Sequence, residues 1–196
     1  MRTTALLFIL ALLVSGCGGA RPYRAMAKAA SSEESVFAQA EDHRLKMQMR
    51  EAIVASDPTR ALEVTPYAYM GHGYLVGFVA DQSVADDLIA RVRSVEGVRS
   101  VDAYLPVKPA GRSAADDLAT KAKVKSTLAV APGQVITQIE MEVLAGHVVL
   151  LGVVRSPATV ASAGTLAGSV GGVTGVTNFL LAPEAEYHSV DRKSVG

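Results

Sequence analysis

Gly71-His72-Gly73-Tyr74-Leu75-Val76-Gly77-Phe78-Val79 (GHGYLVGFV) returns 75 residues later as Gly146-His147-Val148-Val149-Leu150-Leu151-Gly152-Val153-Val154 (GHVVLLGVV). Gly71-His72 falls on Gly146-His147, Leu75 on Leu150, Gly77 on Gly152 and Val79 on Val154. The same shift carries Gly97-Val98 onto Gly172-Val173, Val101 onto Val176 and Leu105 onto Leu180. Self-similarity at a fixed period signals repeated structural units, so the chain holds two related modules.

Each module reads helix, strand, strand, helix, strand. Leu45, Met49 and Ile53 recur at helical spacing, and Thr120, Val124 and Leu128 take the equivalent places. Val64, Pro66 and Ala68 alternate with Glu63, Thr65 and Tyr67. Ile139, Met141 and Val143 alternate with Gln138, Glu140 and Glu142, the pattern of a sheet covered on one side. Pro66 points to an edge strand. Met70-Gly71-His72 and Ala145-Gly146-His147 reverse the chain, and second strands follow over Tyr74–Val79 and Val148–Val154.

Asp81 and Ser156 stand where a helix N-cap is wanted, with Pro157 at the first helical position. Ala85, Leu88, Val92 and Val95 form the apolar stripe of the later helix, matched by Val160, Ala163, Ala167 and Val170. Gly97 and Gly172 are placed to stop these helices, and last strands run over Val98–Leu105 and Val173–Leu180. The expected fold is α+β: two tandem αββαβ modules, each a small three-stranded sheet covered by two helices.

Composition narrows the function. Lys+Arg and Asp+Glu are equal at 19 each, so no global field draws the chain to nucleic acid. The single cysteine, Cys17, excludes an intramolecular disulfide and a cysteine metal cage. Arg2 followed by the apolar run Ala5–Val14 reads as a signal peptide, since a spanning helix needs about 20 apolar residues. Val14-Ser15-Gly16-Cys17 looks like a lipobox, which implies cleavage before Cys17 and acylation of its thiol. Several acyl chains give stable attachment where one is marginal. The absence of Asp after Cys17 implies, by analogy with enteric lipoproteins, the outer membrane.

The expected division is a leader over 1–16, a tether over 17–40 with at most a short helix near Ser35–Ala40, modules over 41–107 and 116–182, a linker over 108–115 and a polar tail over 183–196.

Among exposed features, the opening helix of the second module, Asp116–Ala129, stands out. The face opposite its core stripe is Ala115, Leu118, Ala119, Ala122 and Ala129, flanked by Lys121, Lys123 and Lys125. An apolar strip bordered by lysines suits a membrane surface or an acidic partner. The plainer alternative is a solvated face of helix-forming alanines kept soluble by lysine. The first module offers the more polar His43, Arg44, Met47 and Glu51 there. His72 and His147 read as solvent-exposed turn residues rather than metal ligands, because neither has acid or cysteine neighbours at ligand spacing. Asp86-Asp87 and Asp116-Asp117 read as acids favoured at helix starts. No nucleophile motif is present, so the expectation is no catalytic residue, no metal and no cofactor.

Gly146-x-Val148-x-Leu150-x-Gly152-x-Val154 with Gly172-Val173-x-x-Val176-x-Asn178-x-Leu180 resembles the BON domain (bacterial osmotically induced protein and nodulation). The first module keeps Gly71, Leu75, Gly77, Val79, Gly97, Val98, Val101 and Leu105. It departs at Gly73, where an apolar residue is usual, and at Ala103, where Asn is usual. The whole pattern is similar to dual-BON envelope lipoproteins of Gram-negative bacteria. That resemblance implies a non-enzymatic role in outer-membrane integrity, with anionic phospholipid and envelope proteins as partners. The alternative is an accessory lipoprotein of a secretion or envelope complex that binds protein and not phospholipid.

Overall fold

The computed structural model describes residues 21–56, 63–109, 113–131 and 139–182, with side chains from 38 to 55 in the first of these segments. Two compact units divide the chain, Met1–Ala40 and Glu41–Gly196, and both modules lie in the second. The elements are α1 (Arg21–Ser56), β1 (Val64–Tyr69), β2 (His72–Gly77), α2 (Gln82–Arg93) and β3 (Ser100–Tyr104), then α3 (Ala114–Val130), β4 (Ile139–Leu144), β5 (His147–Val153), α4 (Pro157–Gly168) and β6 (Gly175–Leu181). Cys17, the leader and the polar tail lie outside the described residues.

Both sheets have the same order, β1-β2-β3 and β4-β5-β6, with an antiparallel hairpin and a parallel third strand. Val64 pairs with Gly77 and Ile139 with Gly152; His72 pairs with Ser100 and His147 with Gly175. Each pairing maps onto its counterpart by the sequence shift. Pro66 lies on an edge strand, as expected.

One face of each sheet carries the helices. Leu45, Met49 and Ile53 meet Val64, Ala68 and Leu75, with Ala85, Leu88 and Val92 of α2 beside them. Val124 and Leu128 meet Ile139, Met141, Val143 and Leu150, with Ala163 and Ala167 of α4. Asp81 and Ser156 cap α2 and α4 by accepting the Val84 and Thr159 N–H groups, and Pro157 opens α4. The C-caps are Ser94 and Ser169; Gly97 and Gly172 sit three residues later in the following turn at positive φ.

Three expectations need correction. First, α1 begins at Arg21, so the stretch read as a tether is helical over most of its length. Ala, Met, Glu, Lys and Gln favour helix even without an apolar period. Second, α3 begins at Ala114, two residues before the expected start, because Ser113 caps it.

Third, the sheets are covered on both sides. Tyr67, Tyr74, Val76, Val149 and Leu151 are buried together, with Tyr69, Tyr104, Leu144 and Phe179 packed around them. These are the faces turned away from the helices, and they lie against each other. Most members are paired by the same shift: Tyr74 with Val149, Val76 with Leu151, Tyr69 with Leu144, Tyr104 with Phe179. The contact thus uses the same patch of each module, as in an isologous interface. The cause is visible in β2 and β5, whose GYLV and VVLL runs are apolar on both faces instead of alternating.

Candidate functional site

Helix α3 is fixed by its first turn. Ser113 and Asp116 form a capping box, each side chain taking the other's backbone N–H. Asp117, one residue on, reaches the β4–β5 turn: its carboxylate accepts the Ala145 and Gly146 N–H groups, both at 2.8 Å. Asp42 does the same in the first module, accepting from Met70 at 2.9 Å and Gly71 at 3.1 Å.

The clamp answers a backbone problem. Two-residue hairpin loops with the favoured twist need positive φ at both central positions. Gly71 and Gly146 adopt it freely, but Met70 (φ 54°) and Ala145 (φ 52°) pay the left-handed penalty of roughly 1–2 kcal/mol. A charged acceptor for both turn N–H groups offsets that cost. Asp117 is therefore a structural clamp on the turn, more than a helix-dipole acid.

The inner face of α3 is Thr120, Val124 and Leu128, all buried as expected. Thr120 Oγ1 satisfies itself by donating to the Asp116 carbonyl at 2.9 Å. The outer face is bare: Ala115, Ala119, Ala122 and Ala129 are exposed, and Leu118 keeps 69% of its surface. Lys123 and Lys125 are exposed beside this strip. Lys121 differs, since its Nζ lies 3.0 Å from Glu142 Oε2 and is half-buried.

Glu142 ties the two modules together. Its other oxygen, Oε1, accepts the Tyr67 hydroxyl at 2.8 Å, and Lys46 Nζ sits 4.9 Å from the Tyr67 ring centroid. Lys46 and Lys121 are equivalent positions, as are Tyr67 and Glu142. A chain of Lys46, Tyr67, Glu142 and Lys121 consequently crosses the interface. Burial, then the Glu142 hydrogen bond, pushes the Tyr67 hydroxyl far above its ordinary range, so it stays a donor. Burial lifts Tyr74 to about 12, with Asp102 and Asp42 adding to it. Burial, then the Glu140 carboxylate, raises the Tyr69 hydroxyl as well.

His72 and His147 are not exposed turn residues. They open β2 and β5 and are half-buried. His72 Nδ1 lies 2.8 Å from Ser100 Oγ, and His147 Nε2 lies 2.8 Å from Thr177 Oγ1. Tyr104 stacks on the His147 ring with centroids 4.2 Å apart, so the interface covers it, and burial lowers its pKa. Among the described residues no group of three His, Cys, Asp or Glu is gathered as for a metal ion. Among them, too, no helix is long and apolar enough to cross a membrane.

Between the outer strip of α3 and the first module lies a cleft of about 360 Å³, lined by Phe78, Lys108, Pro109, Leu118, Lys121 and the end of β4. Leu118 and Lys121 are thus brought together at one rim; Lys123 is not part of it, and Lys125 borders a smaller hollow with Glu140 and Met141. Reading one helix at a time cannot find Phe78 or Lys108, which come from elsewhere in the chain. Asp117 was findable, because Asp42 precedes it by the repeat distance.

Residues 116–182 match the family model of the BON domain. The match runs from the first turn of α3 to the end of β6; the first module shares the element order and strand register. The chain is 29% identical over 144 residues to Osmotically-inducible protein Y of Escherichia coli K12, covering 71% of this chain and 72% of that protein. Among solved structures it is similar to the C-terminal domain of CdsD, a structural protein of the type III secretion system of Chlamydia trachomatis. That likeness has 12% identity and a TM-score of 0.28, covering 72% of this chain and 66% of that one, just under two thirds of its length. A second CdsD structure gives 13% identity, 79% and 70% coverage, and the same score of 0.28, which is too low to establish a common fold.

Proposed function

We propose that the mature chain is a non-enzymatic protein anchored by acylated Cys17 to the outer membrane, facing the periplasm, where it contacts phospholipid or envelope partners and supports membrane integrity. The BON match over 116–182 and the osmotically inducible relative support an envelope role. The leader and the Val14–Cys17 motif support export and anchoring. The observation that carries the contact surface is the outer face of α3: Leu118 is 69% exposed amid alanines, with Lys123 and Lys125 free to meet anionic headgroups. Lys121 contributes less, being held by Glu142.

The test is sedimentation of the mature chain, residues 17–196 carrying Cys17→Ser, with phosphatidylglycerol vesicles and with phosphatidylcholine vesicles. Each lysine near an anionic surface is worth about 1 kcal/mol. Changing Lys123 and Lys125 together to Glu should lower binding to the anionic vesicles by about tenfold or more. Binding that ignores both vesicle charge and these changes removes α3 as the contact. A chain that binds no vesicle at all favours the accessory-protein reading, to which the wholly uncharged α4 is suited.

A further inference from the structure

The cleft at the start of α3 is built by both modules. Phe78, just past β2, and Lys108–Pro109 form one wall; Leu118, Val143 and Leu144 form the other. Its size falls at the small end of ligand pockets, roughly 300–1,000 Å³. The acids that line it are already engaged. Asp117 holds the two turn N–H groups, and Glu142 takes the Tyr67 hydroxyl and the Lys121 ammonium. Lys108 is exposed, and its ammonium lies 5.9 Å from the Phe78 ring centroid at the mouth. What remains is an apolar slot with one cation at its opening.

We propose that this cleft binds a single-chain amphiphile with an anionic head, taken up as a monomer. The alkyl chain lies against Phe78, Leu118 and Leu144, and the head meets Lys108. The exposure of Leu118 then has a reason, because a chain in the slot removes that side chain from water. One lysine at the mouth fits one head; Lys121 neutralises Glu142, and the Asp117 carboxylate is turned to the Ala145 and Gly146 N–H groups. This goes beyond membrane contact through α3, since it needs no bilayer.

The experiment is calorimetric titration of the mature chain, residues 17–196 carrying Cys17→Ser, with decanoate below its micelle concentration. Saturable one-to-one binding is expected. Leu118→Ser and Phe78→Ala should each weaken it at least tenfold, and Lys108→Glu should weaken decanoate while strengthening decyltrimethylammonium. Leu118 is exposed, so its variant keeps the fold, which circular dichroism checks, even if Phe78→Ala loosens its neighbours. Absence of saturable binding overturns the proposal. So does equal affinity for decyltrimethylammonium in the unsubstituted chain, or full affinity in both Leu118→Ser and Phe78→Ala. Vesicle sedimentation on the same preparation separates the two ideas. Vesicle binding without decanoate binding sinks the cleft alone; decanoate binding without vesicle binding sinks the surface alone.

Discussion

Met49 of α1 and Val124 of α3 hold equivalent buried positions, and beneath them lie Gly73 and Val148. The first module pairs a long side chain with none; the second pairs two valines. A Cβ on Gly73 would come within 2.8 Å of Met49 Cε, so the methionine occupies the space that Val148 fills in the other module. The departure at Gly73 is therefore one half of a partly compensated swap, in which one methionine stands in for most of two valines. Outside the core the modules diverge without compensation. Arg44, Met47 and Glu51 stand where α3 has Ala119, Ala122 and Ser126, and α2 carries a surface Asp87–Arg91 pair where α4 has no charge. Inner positions answer to each other, whereas outer ones answer to whatever each module meets.

The largest expected effect breaks the swap. Gly73→Val alone should cost about 2–3 kcal/mol by overpacking against Met49, read as a lower urea midpoint. Met49→Val added to it should restore most of that loss, a coupling visible in a double-mutant cycle. If the double variant is no better than the single, the two modules do not balance volume in this way.

A smaller contrast concerns the turn clamps. Asp117→Ala should cost about 2 kcal/mol and Asp42→Ala about 1 kcal/mol, since the Asp117 bonds are shorter and part-buried on both sides. Equal losses in chemical denaturation would show that the clamps differ in geometry and not in energy.

The smallest effect is electrostatic. Burial lowers the His147 pKa below its usual 6.5, so the unfolded chain binds the proton more readily than the folded one. Stability then rises with pH, is complete above about 6.5, and is lost as pH falls below it. A shallow drop in Tm between about pH 6.5 and 5 is expected, flattened by His147→Gln. His72→Gln, at the equivalent position of the first module, serves as the control. A drop unaltered by His147→Gln would assign the slope to other groups.

Much of this architecture was legible beforehand, for identifiable reasons. Apolar residues at helical spacing placed the inner faces of α1 and α3; Asp81 and Ser156 marked helix starts through local hydrogen bonding, and Pro157 through its fixed φ and missing N–H. The strip around Leu118 was legible because exposure on a helix follows from the angle opposite the core stripe. What escaped depends on tertiary contact. Tyr67, a polar-ended residue in an alternating strand, reads as solvent-facing until β4 of the other module supplies Glu142. Asp117 reads as a helix-start acid until the hairpin turn is brought to it. Lys121 reads as a free cation for the same reason.

The back-to-back burial of β2 and β5 bears on how the polypeptide behaves when cut. Hydrolysis between Pro109 and Ser113 would sever the backbone but not part the halves, because Tyr74, Val76, Val149 and Leu151 would still prefer one another to water. A fragment made from either half alone, by contrast, would carry a naked aromatic and aliphatic sheet face and seek a substitute for its missing twin. For this chain the unit that matters for solubility and for proteolytic survival is accordingly the joined pair.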